Sequence, residues 1–572
     1  MTVQNAEIAD RFERLAGLLE LEGANPFRVR AYRNAARFIR GHSRNLAELL
    51  DEGADLAELP GIGRDLAGKI ATLVHTGRLP LLEQVTARVP APLLEMMRIE
   101  GLGPKRAKAL YRALKVRSLE DLARAARSGR IRELPGFGVR TEQLIAERAA
   151  RAATGERRLR LADAEQVARP LVEYLRRLDG VRQVEVAGSL RRRRETVGDL
   201  DVLVGASRGA KVMDRIVHYQ DVVEVQAQGT TRATLRLRDD LQVDVRVVPV
   251  ATFGAALHYF TGSKAHNIAV RRLAMERGLK LNEYGLFRGE RRLGGRTEAE
   301  VFAAVGLPVI PPELREDRGE IQAARRKRLP TLVQLEDIRG DLHCHSRATD
   351  GRDTIEAMAR AAAARGYEYL SINDHSRHVT VAHGLDRRRL LEQVRAIDRL
   401  NARLDGIVIL KSVEVDILDD GRLDLPDSAL QELDFTVCAI HYGFGYTRAR
   451  QTDRILRAMD NPHFAILAHP TGRLINAREP YQIDLERVLE GARERGRIME
   501  LNAQPDRLDL DDRACRLAKE IGVKVAISTD AHRVADLDLM RFGLDQGRRG
   551  WLEAADVVNT RPLAELRRLL RP

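Results

Sequence analysis

The sequence predicts a multidomain protein, with all-α helix-hairpin-helix domains at the N-terminus, an α/β domain in the middle and a (β/α) barrel at the C-terminus. Three observations predict it. A Gly-x-Gly turn ahead of a helix occurs three times in the first 150 residues, two aspartates spaced two apart interrupt an apolar strand near residue 200, and metal-ligand residue types recur at strand ends after residue 340. At 572 residues the chain exceeds a single hydrophobic core, and length alone suggests about three to five domains. Its formal charge of +13 makes polyanions the first class of partner to consider. Cys344, Cys438 and Cys515 are too few and too scattered for a disulfide framework, which points to a reducing, cytoplasmic setting. No apolar run approaches the ~18 residues of a membrane span, and the charged start argues against a signal peptide.

Residues 6–150 carry short amphipathic helices, as in "IADRFERLAGLLEL". The repeated turns are "LPGIGRDLAGKI" (59–70), "EGLGPKRAKAL" (100–110) and "LPGFGVRTEQLI" (134–145), with glycines at Gly61, Gly63, Gly101, Gly103, Gly136 and Gly138. Glycine permits a tight turn and close backbone approach, and the helix that follows offers free N–H groups to an anion. Such a pattern grips a nucleic-acid backbone without reading its sequence.

The stretch "VRQVEVAGSLRRRRETVGDLDVLVG" (181–205) predicts strand, Gly-Ser turn, basic loop and strand. Asp199 and Asp201 are two apart, so both project from one face of the strand. Asp244 interrupts a second alternating strand, "LQVDVRVVPV" (241–250). Three converging carboxylates repel one another unless divalent cations sit between them, and two Mg2+ or Mn2+ ions there suit an in-line phosphoryl transfer. Gly188 and Ser189 can donate to a triphosphate, with an arginine of Arg191–Arg194 neutralising it. The alternative is a surface strand whose aspartates pair with the arginines, which leaves Asp244 unexplained.

Histidine use divides the chain: five lie in residues 1–340 and nine in 341–572. Prolines in a charge-dense segment (306–338) mark the seam. Beyond it, apolar strands end in His343 and His345 (with Asp350 just after), Asp374 and His375, Glu414, His441, His469, Glu500 and Asn502, and Asp530 and His532. Helical stretches separate them, which predicts a barrel with its site at the C-terminal ends of the strands. His378, His383 and His463 are assigned structural roles, and Cys344, between two ligand positions on a strand, is expected to point away from them.

The pattern GS-x-RR-x(5)-GD-x-D-VL (188–203) resembles the nucleotidyltransferase signature of family X DNA polymerases, and "HYFTGSKAHNIAVRRLAMERGLKLNEYGLF" (258–287) resembles their thumb. The resemblance covers roughly residues 6–318. It implies that Asp199, Asp201 and Asp244 bind two metals and that Asp244 helps activate a primer hydroxyl. It further implies triphosphate contacts from Arg158, Gly188, Ser189, Arg192 and Gly198, a sugar site lined by Tyr259, Phe260 and Gly262, a base contact from Asn267 and a template contact from Arg271. By the same resemblance one or two of Arg191–Arg194 meet the triphosphate and the rest are solvated. Lys69 would be a lyase nucleophile, although Asp65 stands where lyase-active members carry a basic residue, and Arg28 and Arg64 would bind a 5′-phosphate.

The C-terminal set His343, His345, Asp350, His375, Glu414, His441, His469, Asp530 and His532 resembles the polymerase-and-histidinol-phosphatase (PHP) family. That resemblance implies a distorted (β/α)7 barrel holding up to three Mn2+, Zn2+ or Fe ions for phosphoester hydrolysis. The order of parts resembles bacterial family X polymerases with a C-terminal PHP domain. The expected domains are 1–85 lyase-like, 86–153 fingers, 154–250 palm, 251–318 thumb, 319–336 linker and 337–572 PHP barrel. The implied function is gap filling in DNA repair by a monomer in the nucleoid, acting on gapped or primer-template DNA with dNTPs. A metal-dependent 3′-5′ exonuclease, AP-endonuclease or 3′-phosphatase would reside in the barrel. Two rivals remain at this point: a barrel that hydrolyses a small phosphoester or pyrophosphate, and an inert DNA-end-binding scaffold.

Overall fold

Apolar residues at helical spacing build the N-terminal segment. Phe12, Leu15 and Leu19 on helix Asn5–Glu22 face Val29, Tyr32, Ala36 and Ile39 on helix Pro26–Gly41, all buried. The Phe12 and Tyr32 rings meet edge to face at 5.6 Å. Helix Arg64–Thr76 begins after Gly63 and stops at Gly77, whose φ of 65° admits a left-handed cap with its N–H bonded to Leu73 O at 2.8 Å. One apolar cluster runs from Ile8 to Ile145, so the described parts of the two expected helix-hairpin-helix segments share a core.

The computed structural model describes residues 5–41, 46–51, 53–59, 62–88, 93, 96, 104–134, 137–138, 142, 145–146, 158–207, 209–238, 241–476 and 478–570. The chain divides into two units, Met1–Arg157 and Arg158–Pro572.

In the second unit a five-stranded sheet has the order Val181–Val186, Asp199–Ala206, Gln242–Val248, Arg232–Leu237, Val222–Gln228. Its strands alternate buried apolar residues with half-buried or exposed polar ones, as in Gln242–Val248. Strands Asp199–Ala206 and Gln242–Val248 run parallel, with Asp201 opposite Asp244, and the other pairs are antiparallel. Helices Phe253–Thr261 and Lys264–Glu276, a three-stranded antiparallel sheet (residues 280–294) and helix Glu298–Ala304 follow.

The last part is a parallel barrel. Strands Gly340–Asp341, Tyr369–Ile372 and Val408–Lys411 form one sheet, and Glu414–Asp416, Val437–Ala439, Ile466–Leu467, Ile498–Asn502 and Val525–Ser528 form another. Val408–Lys411 and Glu414–Asp416 are two pieces of one strand, broken at 412–413, so seven strand positions surround the axis. Single parallel bridges, His375 with Glu414 and Cys344 with Ala531, join the two sheets. The break and the single bridges are the distortion.

Residues 319–336, expected as a linker, are packed. Helix Glu320–Arg325 buries Glu320, Ile321 and Ala324, and Val333 lies in the barrel core. Glu320 is tolerated there because its carboxylate accepts from the Asp317 and Arg318 N–H groups (3.0 and 2.7 Å) and contacts His266 Nδ1 at 2.7 Å. Leu508 and Phe542, from the barrel, are buried within the apolar cluster of the five-stranded sheet. Among the described residues no helix is long and apolar enough to cross a membrane.

Candidate functional site

The parallel register sets Asp201 opposite Asp244, with Asp199 two residues before Asp201 on the same strand. Burial and the charges of Asp199 and Asp244 push the Asp201 carboxyl up to about 7, against the opposing pull of Arg246 and Arg192. Asp244 accepts hydrogen bonds from Thr234 Oγ1 (2.6 Å), Arg232 Nη2 (3.0 Å) and Gln242 Nε2 (3.1 Å), which fix its orientation. Gly188 has φ +57°, and a Cβ there would lie 2.2 Å from Asp201 Oδ2, so only glycine allows the turn to approach the carboxylate. Next to it the buried Ser189 hydroxyl has no hydrogen-bond partner.

The other expected nucleotide contacts fall into small groups. Arg158 binds Thr196 through Nε to Oγ1 (3.0 Å) and Nη2 to O (2.9 Å), and packs under Gly198, where a Cβ would meet Nη1 at 2.8 Å. Arg192 Nη1 donates to Thr261 O at 2.6 Å, beside Gly262. Asn267 Nδ2 donates to Tyr259 O at 2.6 Å while its Oδ1 is unsatisfied. The Tyr259 ring meets the edge of Phe260, and the Arg246 guanidinium covers Phe260 at 4.4 Å. Arg271 is exposed on its helix.

The arginine run departs from expectation: it is an ion-pair hub and not largely solvated. Arg191 makes a two-pronged pair with Glu298 (2.9 and 2.7 Å), Arg192 Nε binds Glu316 (3.0 Å), and Arg193 binds Glu165 and Asp545. Arg194 alone of the four is exposed. The partners lie up to 352 residues away in the chain, beyond the reach of local pattern.

At the barrel mouth the nine expected ligands are linked. Three groups have ligand atoms close enough for a cation: His345, Asp350, His375 and His532; His343, His345 and Asp530; His375, Glu414 and His441. His469 Nε2 lies 2.9 Å from Glu414 Oε1. His343 Nε2 and His345 Nε2 face each other at 3.1 Å, and buried His345 Nδ1 has no hydrogen-bond partner. Two of the candidate ligands, His469 (φ 28°) and Asp530 (φ 51°), sit in the left-handed region, a strained backbone that the surrounding strands must hold. Burial and the neighbouring His532 and His375 hold His345 down at about 4. Burial also opposes charge on His375, His441 and His532, but nearby carboxylates outweigh it and lift them to about 10, 9 and 9.

Four further residues orient the candidate ligands; Asp374, Glu500 and Asn502 were named from the sequence among the strand-end residues but not in the nine-residue set, and Asp416 was not singled out. Asp416 accepts from His441 Nδ1 (2.8 Å), and Glu500 from His343 Nδ1 (2.6 Å) and the His469 N–H (2.7 Å). Asn502 Nδ2 binds Asp530 Oδ2 at 3.0 Å, and Asp374 fixes the 346–349 loop through Ser346 and Thr349. Asp416 stands two residues after Glu414, so same-face spacing on the strand was the available signal. Cys344 is buried in the apolar cluster, as expected for a side chain pointing away from the ligands.

In the N-terminal unit, Lys69 Nζ is paired with Asp65, one turn earlier on the helix, and lies 5.9 Å from the Tyr32 ring centroid. Arg28 and Arg64 are exposed. Gly63 precedes helix Arg64–Thr76, whose Ala67 N–H reaches back to its carbonyl (2.9 Å), and the Glu142 N–H donates to the Gly138 carbonyl (3.0 Å). Gly61, Gly101, Gly103 and Gly136 lie outside the described residues.

Comparison with known proteins agrees with this layout. Residues 3–79 match a helix-hairpin-helix domain, 93–151 a SAM-like helix-hairpin-helix tandem, and 256–316 the DNA polymerase beta thumb. A probable phosphatase of Thermoanaerobacter is 31% identical over 35% of this chain and 81% of its own length. Rat DNA polymerase lambda is 26% identical over 55% of this chain and 57% of its own. The DNA polymerase/3′-5′ exonuclease PolX of Bacillus subtilis is 38% identical over 570 residues, 99% of both chains. With that identity along its whole length, and with both the carboxylate sheet and the histidine-lined barrel in place, the chain belongs to the PolX family.

Proposed function

We propose that this protein fills short gaps in DNA with dNTPs at the sheet carboxylates and trims 3′ ends at the barrel cluster. One observation carries the reading: Asp201 lies opposite Asp244 on parallel strands, with Asp199 on the same face, and burial together with the two neighbouring charges raises Asp201 to about 7. Such an arrangement suits Mg2+ or Mn2+, and hard oxygen ligands match those ions. The barrel's mixed imidazole and carboxylate donors, including a neutral His345 with an unpartnered Nδ1, fit up to three Mn2+, Zn2+ or Fe ions. Bound at these sites, divalent cations supply Lewis acidity that activates a hydroxyl or water and neutralises phosphate oxygens.

The chain's own residues do the rest. Gly188 and Ser189 present a close backbone turn and a free hydroxyl to the triphosphate, and Arg158 lies beneath Gly198 as its counter-charge. Asp244, anchored by Arg232, Thr234 and Gln242, is held where it can take a proton from the primer hydroxyl. In the barrel, Asp416 and Glu500 fix which nitrogens of His441 and His343 face the centre. The proposed division of labour assigns DNA-backbone contact to 1–85 and 86–153, the palm to 154–250, the thumb to 251–318 and hydrolysis to 337–572.

A second reading, hydrolysis of a small phosphoester by the barrel, is favoured by the relatives described as probable phosphatases. A 5′-labelled primer on a gapped template, incubated with Mg2+ or Mn2+ with and without dNTPs, tests both. Extension with dNTPs and shortening without them is expected. Extension with no shortening, but release of phosphate from p-nitrophenyl phosphate, would favour the second reading.

A further inference from the structure

Beside the barrel cluster lies an open cavity of about 630 Å³ whose walls include Tyr442, Tyr446, His378 and Asp419. Tyr442 directly follows the candidate ligand His441, and His378 stands three residues after the candidate ligand His375. The Tyr442 side chain is exposed, unusual for a large aromatic, and the His378 ring meets it edge to face at 4.9 Å.

The walls are built and not incidental. Buried Arg454 donates to the carbonyls of Tyr442 (2.8 Å) and Leu418 (3.0 Å), tying two sides of the cavity together. The His378 N–H donates to Asp424 at 2.8 Å, and the Asp424 N–H donates to the carbonyl of Asp416, the residue that orients His441. Gly443 has φ +78°, and a Cβ there would lie 2.7 Å from Tyr446 Cε2, so glycine makes room for that ring. Tyr446 is covered by the Arg450 guanidinium at 3.7 Å, and its hydroxyl bonds Asp419.

The chemistry selects the occupant. Aromatic faces stack on nucleobases of any sequence. Asp420 is paired with Arg422, which also lines the cavity (2.7 Å), and the Asp419 carboxylate can accept hydrogen bonds from the amino groups of a base. Phosphate belongs at the adjoining histidine–carboxylate cluster. We infer that this cavity receives the unpaired base of the 3′-terminal nucleotide, with Tyr442 as its stacking platform, while the scissile phosphate lies at the barrel cluster. The inference rests on the 3′-end trimming proposed above and adds Tyr442 as the group against which the terminal base is held.

The test compares Mn2+-dependent removal of the 3′-terminal residue from two single-stranded oligonucleotides, identical except that one ends in an ordinary nucleotide and the other in a tetrahydrofuran abasic unit. Wild type should favour the base-bearing end by about tenfold in kcat/KM, mainly through KM, the size of one base–aromatic stack. Tyr442→Ala should bring that ratio close to one, and Tyr442→Phe should keep it. Equal rates on both ends in wild type, or a Tyr442→Ala loss equal on both, would overturn the inference while leaving 3′ trimming intact. No shortening of either oligonucleotide by wild type would instead remove the trimming reading and this inference with it.

Discussion

At the scale of single residues, the barrel cluster couples cation binding to protons. His375, His441 and His532 are lifted to about 10, 9 and 9 by the carboxylates around them, so they favour the imidazolium near neutral pH. A cation needs the neutral ring, so uptake must expel protons and must weaken as pH falls. Titrating Mn2+ into metal-free protein at pH 7 in buffers of different ionisation heat should show release of roughly one to three protons per protein. Affinity should rise from pH 6 to 9; pH-independent binding without proton release would contradict the assignment. The clustering of the nine candidate ligands was legible in the sequence because histidines and acids at successive strand ends are a rare coincidence. Asp416 was not singled out, and Glu500 was named without its role, since one more carboxylate on a strand looks like any other until His441 and His343 are seen to lean on them.

At the scale of elements, the two aspartates of one strand and the third of its neighbour were legible from strand alternation. The meaning of Arg191–Arg194 was not, because its partners come from distant elements. Glu298, at the first turn of helix Glu298–Ala304, accepts from both Arg191 and Arg315. Burial opposes its charge, but the two guanidinium groups outweigh this and hold the carboxyl at about 2. A carboxyl with a depressed folded pKa stabilises fully above its unfolded value of 4.5, and the contribution is lost as pH falls toward 2. Glu298→Gln leaves fully buried Arg315 without its carboxylate and should cost about 3 kcal/mol at pH 7. The difference from wild type should shrink below pH 4.5. Chemical denaturation at pH 7 and 3.5 measures it, and a variant as stable as wild type at pH 7 would show the pair to be dispensable.

At the scale of the whole molecule, the sequence located the seam between the two chemistries but not its closure. Prolines and charge at 306–338 signal an absent apolar period, and they give no sign that Phe542 will lie among Leu171, Val184 and other core residues of the sheet. Nor do they reveal that Arg549 reaches the Arg192 carbonyl at 2.6 Å, or that Arg473 pairs with Glu195 at 2.7 Å. The five-stranded sheet, the thumb-like segment after it and the barrel therefore belong to one unit, Arg158–Pro572. Phe542→Ala should cost about 3 kcal/mol or more, and polymerisation and 3′ trimming should be lost at the same, lower temperature. Heat inactivation of one activity well before the other would show that the seam is loose.

Shared folding does not imply shared chemistry, because the two ligand sets have no residue in common. The most direct measurement is the gapped-template assay on Asp244→Ala and His345→Ala beside wild type, with primer lengthening and shortening read on one gel. Asp244→Ala should abolish lengthening and still shorten the primer with Mn2+; His345→Ala should lengthen it and no longer shorten it. Lengthening by Asp244→Ala at more than a few per cent of wild type, or shortening that survives His345→Ala, would contradict the assignment of two separate centres.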